Sequence, residues 1–327
     1  MSSPKRSGRP PIDSEYINLV ASGELVLLGT ILPGDVAKLR AESVSAPIEE
    51  TIADRAIRHE KATVAESGML ISVLTPSNVP IRGCVFAVHG GGLIVGDRYS
   101  GIEFTFDWIE HLGLAVVTPE YRLAPEHPYP AALNDCEHAL AWTRHYLATS
   151  GYGAVPLVLS GVSAGGTLAA ALALTLRDRG DTSISGLMLQ APMLDHRNVS
   201  ISARAFSGTG QWDRESNTTG WDAYLAGTGT GTGTGADEIT AYMSPALAAD
   251  LTGMPPTFID VGSAEVFRDE DVAFASALWA AGVDAQLAVW PGGVHSFDRF
   301  APNTALAKAA RTVRNEWLGR LVGRVVS

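Results

Sequence analysis

Residues 161–166 of this 327-residue chain read Gly-Val-Ser-Ala-Gly-Gly, and they lie between an apolar run at 155–159 and an Ala- and Leu-rich run at 168–176. This context predicts a strand, a sharp turn and a helix, and such a turn lifts the hydroxyl group of Ser163 out of the sheet. Glycines flank the serine because larger side chains would collide with the backbone there. A serine held in this way is a candidate nucleophile.

A serine hydroxyl is a weak nucleophile at neutral pH, and it needs a base within hydrogen-bonding distance and an acid that orients the base. When such a serine lies between a strand and a helix, the chain order is serine, acid, histidine. Glu265 follows a strand predicted at 257–261, and His295 follows a strand predicted at 285–289. Both side chains fall at carboxyl ends of strands, where open α/β sheets bind ligands. The sequence therefore predicts a catalytic triad of Ser163, His295 and Glu265.

Two other carboxylates remain alternatives for the acid. Asp260 lies within the predicted strand, and Asp269 lies at the start of the next predicted helix. Among the eight histidines, only His295 follows both the serine and a plausible acid. We interpret six others as residues of the surface or of helix faces: His59, His111, His127, His138, His145 and His196.

The remaining histidine, His89, opens a His-Gly-Gly-Gly run that directly follows a strand predicted at 83–88. Three glycines leave backbone N–H groups free to face an oxyanion as it develops. Each such donor contributes about a hundredfold to a thousandfold to turnover. The run is therefore a candidate oxyanion-binding segment.

These motifs together resemble one known family. Gly96 and Asp97 follow the His-Gly-Gly-Gly run, residues 121–126 read Tyr-Arg-Leu-Ala-Pro-Glu, the serine turn has the form G-x-S-A-G-G, and residues 242–245 read Tyr-Met-Ser-Pro. Over roughly residues 60–300, the chain resembles the hormone-sensitive-lipase family of α/β-hydrolase serine esterases.

The resemblance implies specific roles for matching residues. It implies Ser163 as the nucleophile and His295 as the base. It also implies that the backbone N–H groups of Gly91, Gly92 and Ala164 form the oxyanion hole. Members of the family often dimerise, which leaves a homodimer as an open expectation.

The chain departs from the usual family pattern at two positions. Val162 precedes the serine, where the family most often has Asp, so the polar contacts around the turn must differ. Glu265 stands where the acid is usually Asp, and its longer side chain can still reach an imidazole from a loop that lies slightly further back. Within 121–126, we expect Arg122 and Glu126 to pair and hold a loop, without a part in catalysis.

The substrate pocket is predicted to be walled by residues that follow the oxyanion segment, that lie in a cap, or that follow the acid. These residues are Leu93, Ile94, Trp212, Trp221, Val266 and Phe267.

Predicted strands and helices alternate around these residues. Such alternation predicts a mostly parallel sheet with helices on both faces. With the family resemblance, the expected fold class is α/β, an α/β-hydrolase fold with a helical cap. Strands are predicted at 61–65, 69–74, 83–88, 114–118, 155–159, 185–190, 257–261 and 285–289, and helices at 99–112, from beyond 130 to 150, at 168–176, 270–281 and 304–321.

The expected domain organisation has a cap built from two separate segments. Helical spacing at 14–28 and 35–43 predicts N-terminal cap helices, and the alternation of strands and helices stops again after Asp195. Glycine alternates with threonine at 227–235, which indicates a flexible surface loop or, alternatively, a gate over the pocket. The predicted units are cap helices at 1–55, a catalytic domain at 56–194 and 241–327, and a second cap segment at 195–240.

Composition indicates a soluble globular protein, with 46% hydrophobic and 18% charged residues. The net charge of −11 weighs against binding to a phosphate backbone, so we expect no nucleic-acid partner. Cys84 and Cys136 lack metal-binding spacing and are expected to be reduced packing residues. We predict no metal and no cofactor.

The N-terminal region superficially resembles a secretory signal, since Lys5, Arg6 and Arg9 precede an apolar stretch at 17–32. Glu24 interrupts this stretch, and no small-residue cleavage site follows it. We therefore expect a helical segment and a cytoplasmic protein. No run of 18 uncharged apolar residues exists, so no membrane span is predicted.

The function predicted from these features is that of a serine carboxylesterase, which hydrolyses small to medium esters through an acyl-enzyme intermediate. A lactone hydrolase that uses the same triad is an alternative. Non-catalytic ligand receptors of this fold typically lack the base histidine, and His295 is present here. A nicotinamide-dependent oxidoreductase is disfavoured because its glycine fingerprint is missing.

Overall fold

The computed structural model describes residues 8–65, 67–226 and 239–325 of the chain. The Gly- and Thr-rich segment at 227–235, expected to be a loop or a gate, lies outside the described residues. Within the three described ranges, no helix is both long and apolar enough to cross a lipid bilayer.

One sheet organises the described residues, and the order of its eight strands is β1-β2-β4-β3-β5-β6-β7-β8. The pairs β1–β2 and β2–β4 are antiparallel, and all other neighbouring pairs are parallel. The prediction of a mostly parallel sheet is confirmed. The strands are β1 (Ile57–Thr63), β2 (Leu70–Pro76), β3 (Gly83–Val88), β4 (Leu114–Pro119), β5 (Leu157–Val162), β6 (Gly186–Gln190), β7 (Thr257–Gly262) and β8 (Ala285–Trp290).

The α-helices connect and cover these strands. In the described part of the chain they are α1 (Ser14–Ser22), α2 (Val36–Glu42), α3 (Ile48–Thr51), α4 (Phe106–Glu110), α5 (Ala131–Thr149), α6 (Ala164–Asp178), α7 (Ile201–Ala205), α8 (Arg214–Leu225), α9 (Arg268–Ala280), α10 (Phe297–Phe300) and α11 (Ala305–Val325).

The sheet carries an apolar cluster on each face. Val85 of β3 belongs to a cluster with side chains of α4 and α11, whereas the next residue, Phe86, belongs to a cluster with side chains of α5, α6 and α9. Successive side chains of a strand point to opposite faces, so a strand covered on both sides is apolar on both faces. This explains why residues 84–88 of β3 and 114–117 of β4 are apolar throughout.

Some element boundaries differ from the prediction. The first strand was predicted at 61–65, but it begins at Ile57, because its pairing with β2 sets its bounds. Its sequence is largely polar and exposed, as expected for a strand at the edge of a sheet. The helix expected at 99–112 is divided into a short 3₁₀ turn and α4, and the left-handed Gly101 (φ 78°) precedes the turn. Helix α1 ends at Ser22, because Gly23 adopts the left-handed conformation of a C-cap.

The two segments predicted to form caps contact each other. The backbone N–H of Ile31 donates to Ser216 Oγ at 2.9 Å, and Thr219 Oγ1 donates to the carbonyl of Ile31 at 2.8 Å. The N–H of Leu28 donates to Gln211 Oε1 at 2.9 Å. These bonds hold the N-terminal segment over the carboxyl side of the sheet, beside α8.

Both cysteines are buried, and neither forms a disulfide. Burial raises the pKa of the Cys84 thiol to about 12, and it also raises the pKa of Cys136. Both thiols therefore pack as neutral apolar groups, in agreement with the sequence analysis.

Candidate active site

Ser163 lies in a turn between β5 and α6 whose backbone is held in an unusual conformation, with φ 54° and ψ −120°. The turn is closely packed. A Cβ atom at Gly161 would lie 2.2 Å from the carbonyl oxygen of Gly165, and one at Gly165 would lie 2.1 Å from the carbonyl oxygen of Val88. Glycine is therefore required at both positions, and the packed surroundings hold the strained serine in place.

A continuous chain of hydrogen bonds joins the three residues predicted to form the triad. Ser163 Oγ lies 3.1 Å from His295 Nε2, and His295 Nδ1 lies 2.6 Å from Glu265 Oε2. The other carboxylate oxygen, Oε1, accepts the backbone N–H of Gly262 at 2.8 Å. The ring of Phe267 packs edge-on against the imidazole, with 5.1 Å between ring centroids. All three polar side chains are buried, so both the position and the tautomer of His295 are held by fixed neighbours.

The two alternative acids lie elsewhere. Asp260 is buried in β7, where its Oδ2 accepts from Arg314 Nε at 2.8 Å and from Trp290 Nε1 at 2.9 Å. Asp269 accepts from Arg268 Nε at 2.8 Å and from the backbone N–H of Ser202 at 2.7 Å. Glu265 is thus the carboxylate that contacts the histidine.

The glycine run after β3 presents free backbone donors beside the serine. Gly91 and Gly92 have positive φ values of 121° and 60°. Among the described residues, the N–H groups of Gly91, Gly92 and Ala164 donate to no acceptor. Ala164 is the first residue of α6, where an N–H group has no partner within the helix. The three residues implied by the resemblance therefore have donors available for an oxyanion.

His89 supports this run from within the fold. Its Nδ1 donates to the carbonyl of Gly90 at 2.7 Å, and its ring stacks on Tyr121 with 4.2 Å between centroids. Tyr121 Oη donates to the carbonyl of His89 at 2.9 Å. Burial lowers the pKa of His89, which favours the neutral ring.

A cavity of about 190 Å³ opens above Ser163 and His295. Trp212, one of the residues expected in the pocket, lines it together with the glycines of the oxyanion segment. The other five residues predicted for the pocket do not line it, because each is turned into the packed interior: Leu93, Ile94, Trp221, Val266 and Phe267.

Several residues that line the cavity were not predicted from the sequence. Leu28, Ile31 and Leu39 reach it from the N-terminal segment, and Arg299 reaches it from α10. A helical segment of apolar residues at the N-terminus was visible in the sequence, but the side chains that face the serine were not. Arg299 follows His295 by only four positions, in the short helix α10 that begins at Phe297.

The segment 121–126 serves as scaffold, but the expected pair within it is wrong. Arg122 binds Asp135 through Nε and Nη2, each at 2.9 Å. Glu126 is instead bound by Arg40, with 2.8 Å between Nη1 and Oε2. Arg122 and Glu126 therefore tie the segment to α5 and to α2, respectively.

Comparisons with known proteins agree with this fold and geometry. A family model described as the alpha/beta hydrolase fold matches residues 85–299, about two thirds of the chain. A carboxylesterase of Mycobacterium tuberculosis, NlhH, is 31% identical over 276 residues, which cover 82% of this chain and 83% of that protein.

Solved structures show the same likeness over nearly the whole chain. A bacterial heroin esterase superposes with a TM-score of 0.82 at 29% identity, covering 95% of this chain and 98% of that one. An esterase from the bacterial hormone-sensitive lipase family superposes with a TM-score of 0.72 at 26% identity, covering 95% and 99%.

The sheet order and the serine turn between strand and helix define an α/β-hydrolase. Together with the matching family model and relatives, they show that the chain belongs to the hormone-sensitive-lipase family of α/β-hydrolase serine esterases.

Proposed function

We propose that this protein is a serine carboxylesterase that hydrolyses small to medium carboxylic esters through an acyl-enzyme intermediate. The observation that carries the proposal is the hydrogen-bonded chain from Ser163 through His295 to Glu265, with bonds of 3.1 and 2.6 Å. The related carboxylesterase and heroin esterase support the same class of reaction.

In the first half of the reaction, Ser163 Oγ attacks the carbonyl carbon of the ester while its proton passes to His295 Nε2. The carbonyl oxygen becomes an oxyanion, and the N–H groups of Gly91, Gly92 and Ala164 donate to it. The bond to the alcohol oxygen then breaks, and that oxygen takes the proton from Nε2. The alcohol leaves, and the acyl group stays on Ser163.

In the second half, a water molecule attacks the acyl carbon and gives its proton to His295 Nε2. The bond to Ser163 Oγ breaks, Oγ takes that proton back, and the carboxylic acid is released. Throughout, Glu265 stabilises the protonated imidazole through Nδ1, while the Gly262 N–H holds the carboxylate in position.

The cavity supports a preference for compact substrates. Its volume of about 190 Å³ and its partly apolar lining by Leu28, Ile31, Leu39 and Trp212 suit a small or medium ester. We also propose that residues 1–55 and 195–240 act together as the cap of the catalytic domain. The cavity is lined from both segments, which supports this assignment.

The test is a panel of p-nitrophenyl esters and lactones assayed on the wild type and on Ser163→Ala. We expect ester hydrolysis that falls about ten-thousandfold or more in the variant, because one residue of a triad acts only with the others. Ser276→Ala, on the exposed face of α9, is the matched control and keeps full activity. A preference for lactones would identify the alternative activity on the same triad.

Labelling by an organophosphate separates the enzyme from a receptor of the same fold. An activated serine forms a covalent adduct, so we expect mass spectrometry to locate the label on Ser163. An unmodified protein that also leaves every ester intact would overturn the proposal.

A further inference from the structure

Arg299 brings a positive charge to the cavity above Ser163. It lies on the short helix α10 and lines the same cavity as the serine and His295. The Arg299 side chain is partly exposed to solvent. The protein around its guanidinium nevertheless lowers the pKa of this group through burial. Arginine remains protonated in proteins despite such shifts, so this group is a fixed cation in the pocket.

The guanidinium of Arg299 forms no ion pair and no side-chain hydrogen bond with another described residue. This is unexpected in a chain with 35 acidic residues and 24 Lys or Arg residues. Arg314, in comparison, contacts both Asp260 and Asp298. The acid excess could have supplied a partner for Arg299, but no acidic residue in the described ranges pairs with it.

Three carboxylates lie close enough to favour the positive charge, but none pairs with it. Asp97 is bound by the hydroxyl of Ser45 at 2.7 Å and by the N–H of Tyr99 at 2.9 Å. Asp298 is bound by Arg314. Glu103 is exposed to solvent in the 3₁₀ turn before α4. Among the described residues, only Arg299 and His295 are ionisable and line the cavity, so this lining has a cation without a matching anion.

We propose that Arg299 binds a carboxylate carried by the substrate, so that the preferred esters of this enzyme contain a free acid group as well as the ester bond. This inference rests on the proposed function and names a substrate class for it. A planar guanidinium matches a carboxylate through two parallel hydrogen bonds, and such bonds are shorter and stronger than those between neutral groups. Ser296 also lines the cavity and directly precedes the same helix, so its hydroxyl can add a donor.

The overall charge of −11 does not oppose this arrangement at the site. Exposed charges are screened beyond about 8 Å at physiological ionic strength. A bound carboxylate therefore responds mainly to the cation beside it and little to the acidic surface of the rest of the protein.

The experiment compares esters of matched shape that differ in charge. Monomethyl succinate and methyl 4-methylpentanoate have nearly the same outline, and only the first carries a carboxylate, on the acyl part. The pair 4-carboxyphenyl acetate and 4-isopropylphenyl acetate places the same difference on the alcohol part. Acid release is followed in a pH-stat for the wild type, Arg299→Met, Arg299→Lys and the control Lys308→Met. Lys308 is an exposed residue of α11, so its substitution removes one positive charge away from the cavity.

For at least one pair, the ratio of kcat/KM between the charged and the neutral ester is expected to fall about tenfold or more in Arg299→Met, since a charge-assisted bond is lost. Arg299→Lys should recover part of the ratio, and Lys308→Met should keep it. The pair that responds tells whether the carboxylate belongs to the acid or to the alcohol. A change of less than about threefold in this ratio for both pairs is no larger than the effect of an exposed surface charge. Such a result overturns the inference.

Direct binding keeps the test independent of turnover. Monomethyl succinate and 4-carboxyphenyl acetate are titrated by calorimetry into Ser163→Ala and into Ser163→Ala with Arg299→Met. We expect saturable binding of one of them that is lost in the double variant. Equal binding by both proteins, or none by the first, contradicts the carboxylate site. If no ester is hydrolysed by the wild type, the proposed function fails, and this titration alone decides on Arg299.

Discussion

Glu265 and His295 follow two neighbouring parallel strands, β7 and β8, and their side chains meet at 2.6 Å. The two strands end at the same edge of the sheet, so the loops after them lie side by side. The contact uses one carboxylate oxygen, while Gly262 at the end of β7 holds the other. The side chain of glutamate is longer than that of the usual aspartate, but both oxygens of Glu265 have a fixed partner. The carboxylate therefore holds the imidazole firmly.

Replacement of Glu265 by Gln should reduce kcat by about a thousandfold or more, because the amide cannot stabilise the protonated imidazole and can favour the wrong tautomer. Steady-state kinetics with a p-nitrophenyl ester measure the loss. Asp269→Asn is the matched control, since Asp269 is the nearby carboxylate that contacts Arg268 and Ser202 instead. If the control lost as much turnover as Glu265→Gln, the acid of the triad would have been assigned to the wrong residue.

Gly92→Ala should lower kcat by about a hundredfold, the usual effect of one lost oxyanion donor. A Cβ atom at this position would lie 2.3 Å from the Trp212 ring, so the glycine run has to move. The control is Gly180→Ala, where φ is 72° and no atom lies within 4 Å of the added Cβ. Both variants carry the strain of a left-handed alanine, about 1–2 kcal/mol, and only the first should lose turnover. Equal turnover in the two variants speaks against Gly92 as a donor.

Trp212→Ala should broaden the range of esters accepted, because Trp212 forms a wall of the cavity above the serine. The comparison is Trp221→Ala, a fully buried residue that does not line the cavity and should cost about 3–5 kcal/mol of stability. Values of kcat/KM from acetate to decanoate esters give the profile, and urea unfolding gives the stability. An unaltered profile in Trp212→Ala counts against its role in the pocket.

Asp271→Asn should stabilise the protein in a manner that depends on pH. Asp271 is fully buried, and its carboxylate oxygens have no hydrogen-bond partner among the described residues. Burial raises its pKa well above the ordinary value, and the neighbouring carboxylates of Glu270, Glu265 and Asp260 add to this. A raised pKa means that Asp271 keeps its proton more tightly in the folded state than in the unfolded state. The contribution of Asp271 to the free energy of unfolding is therefore fully present below the unfolded pKa of about 3.9, and it is lost as the pH rises toward the folded pKa.

Asparagine does not ionise, so Asp271→Asn removes this pH-dependent loss of stability. The gain in the free energy of unfolding should be about 1 kcal/mol or more at pH 7, because each tenfold difference in proton affinity between the folded and unfolded states is worth about 1.4 kcal/mol. The gain should shrink as the pH falls toward about 4. Urea unfolding between about pH 5 and pH 8 measures it, with Asp54→Asn in an exposed turn as the control. A gain of equal size at every pH would mean that ionisation of Asp271 is not its source.

Much of the site could be predicted because it depends on short stretches of chain. The turn around Ser163 needs glycine at positions that crowd the backbone, and the glycines at 161 and 165 make this visible. Glu265 and His295 each follow a strand directly, so the positions of the strands were enough to bring them together. The mostly parallel sheet followed from the alternation of strands and helices for the same reason.

The residues of the substrate pocket could not be predicted from such short stretches of sequence. Leu93 and Ile94 stand beside the oxyanion glycines in sequence, yet both side chains are buried in the core, whereas Leu28 and Ile31 reach the cavity from more than 130 positions before the serine. The pairs of Arg122 with Asp135 and of Glu126 with Arg40 were likewise not those nearest along the chain.

The sequence by itself thus determined the fold class, the serine turn and the order of the candidate triad, because local spacing and backbone sterics specify these. The tertiary structure alone decided which side chains wall the cavity, and it alone showed that Arg299 lies in the cavity with no ion-pair partner in the part of the chain that the structure describes. Such contacts join segments that are far apart in the chain, and their identity depends on how the cap packs over the sheet, which no local pattern encodes.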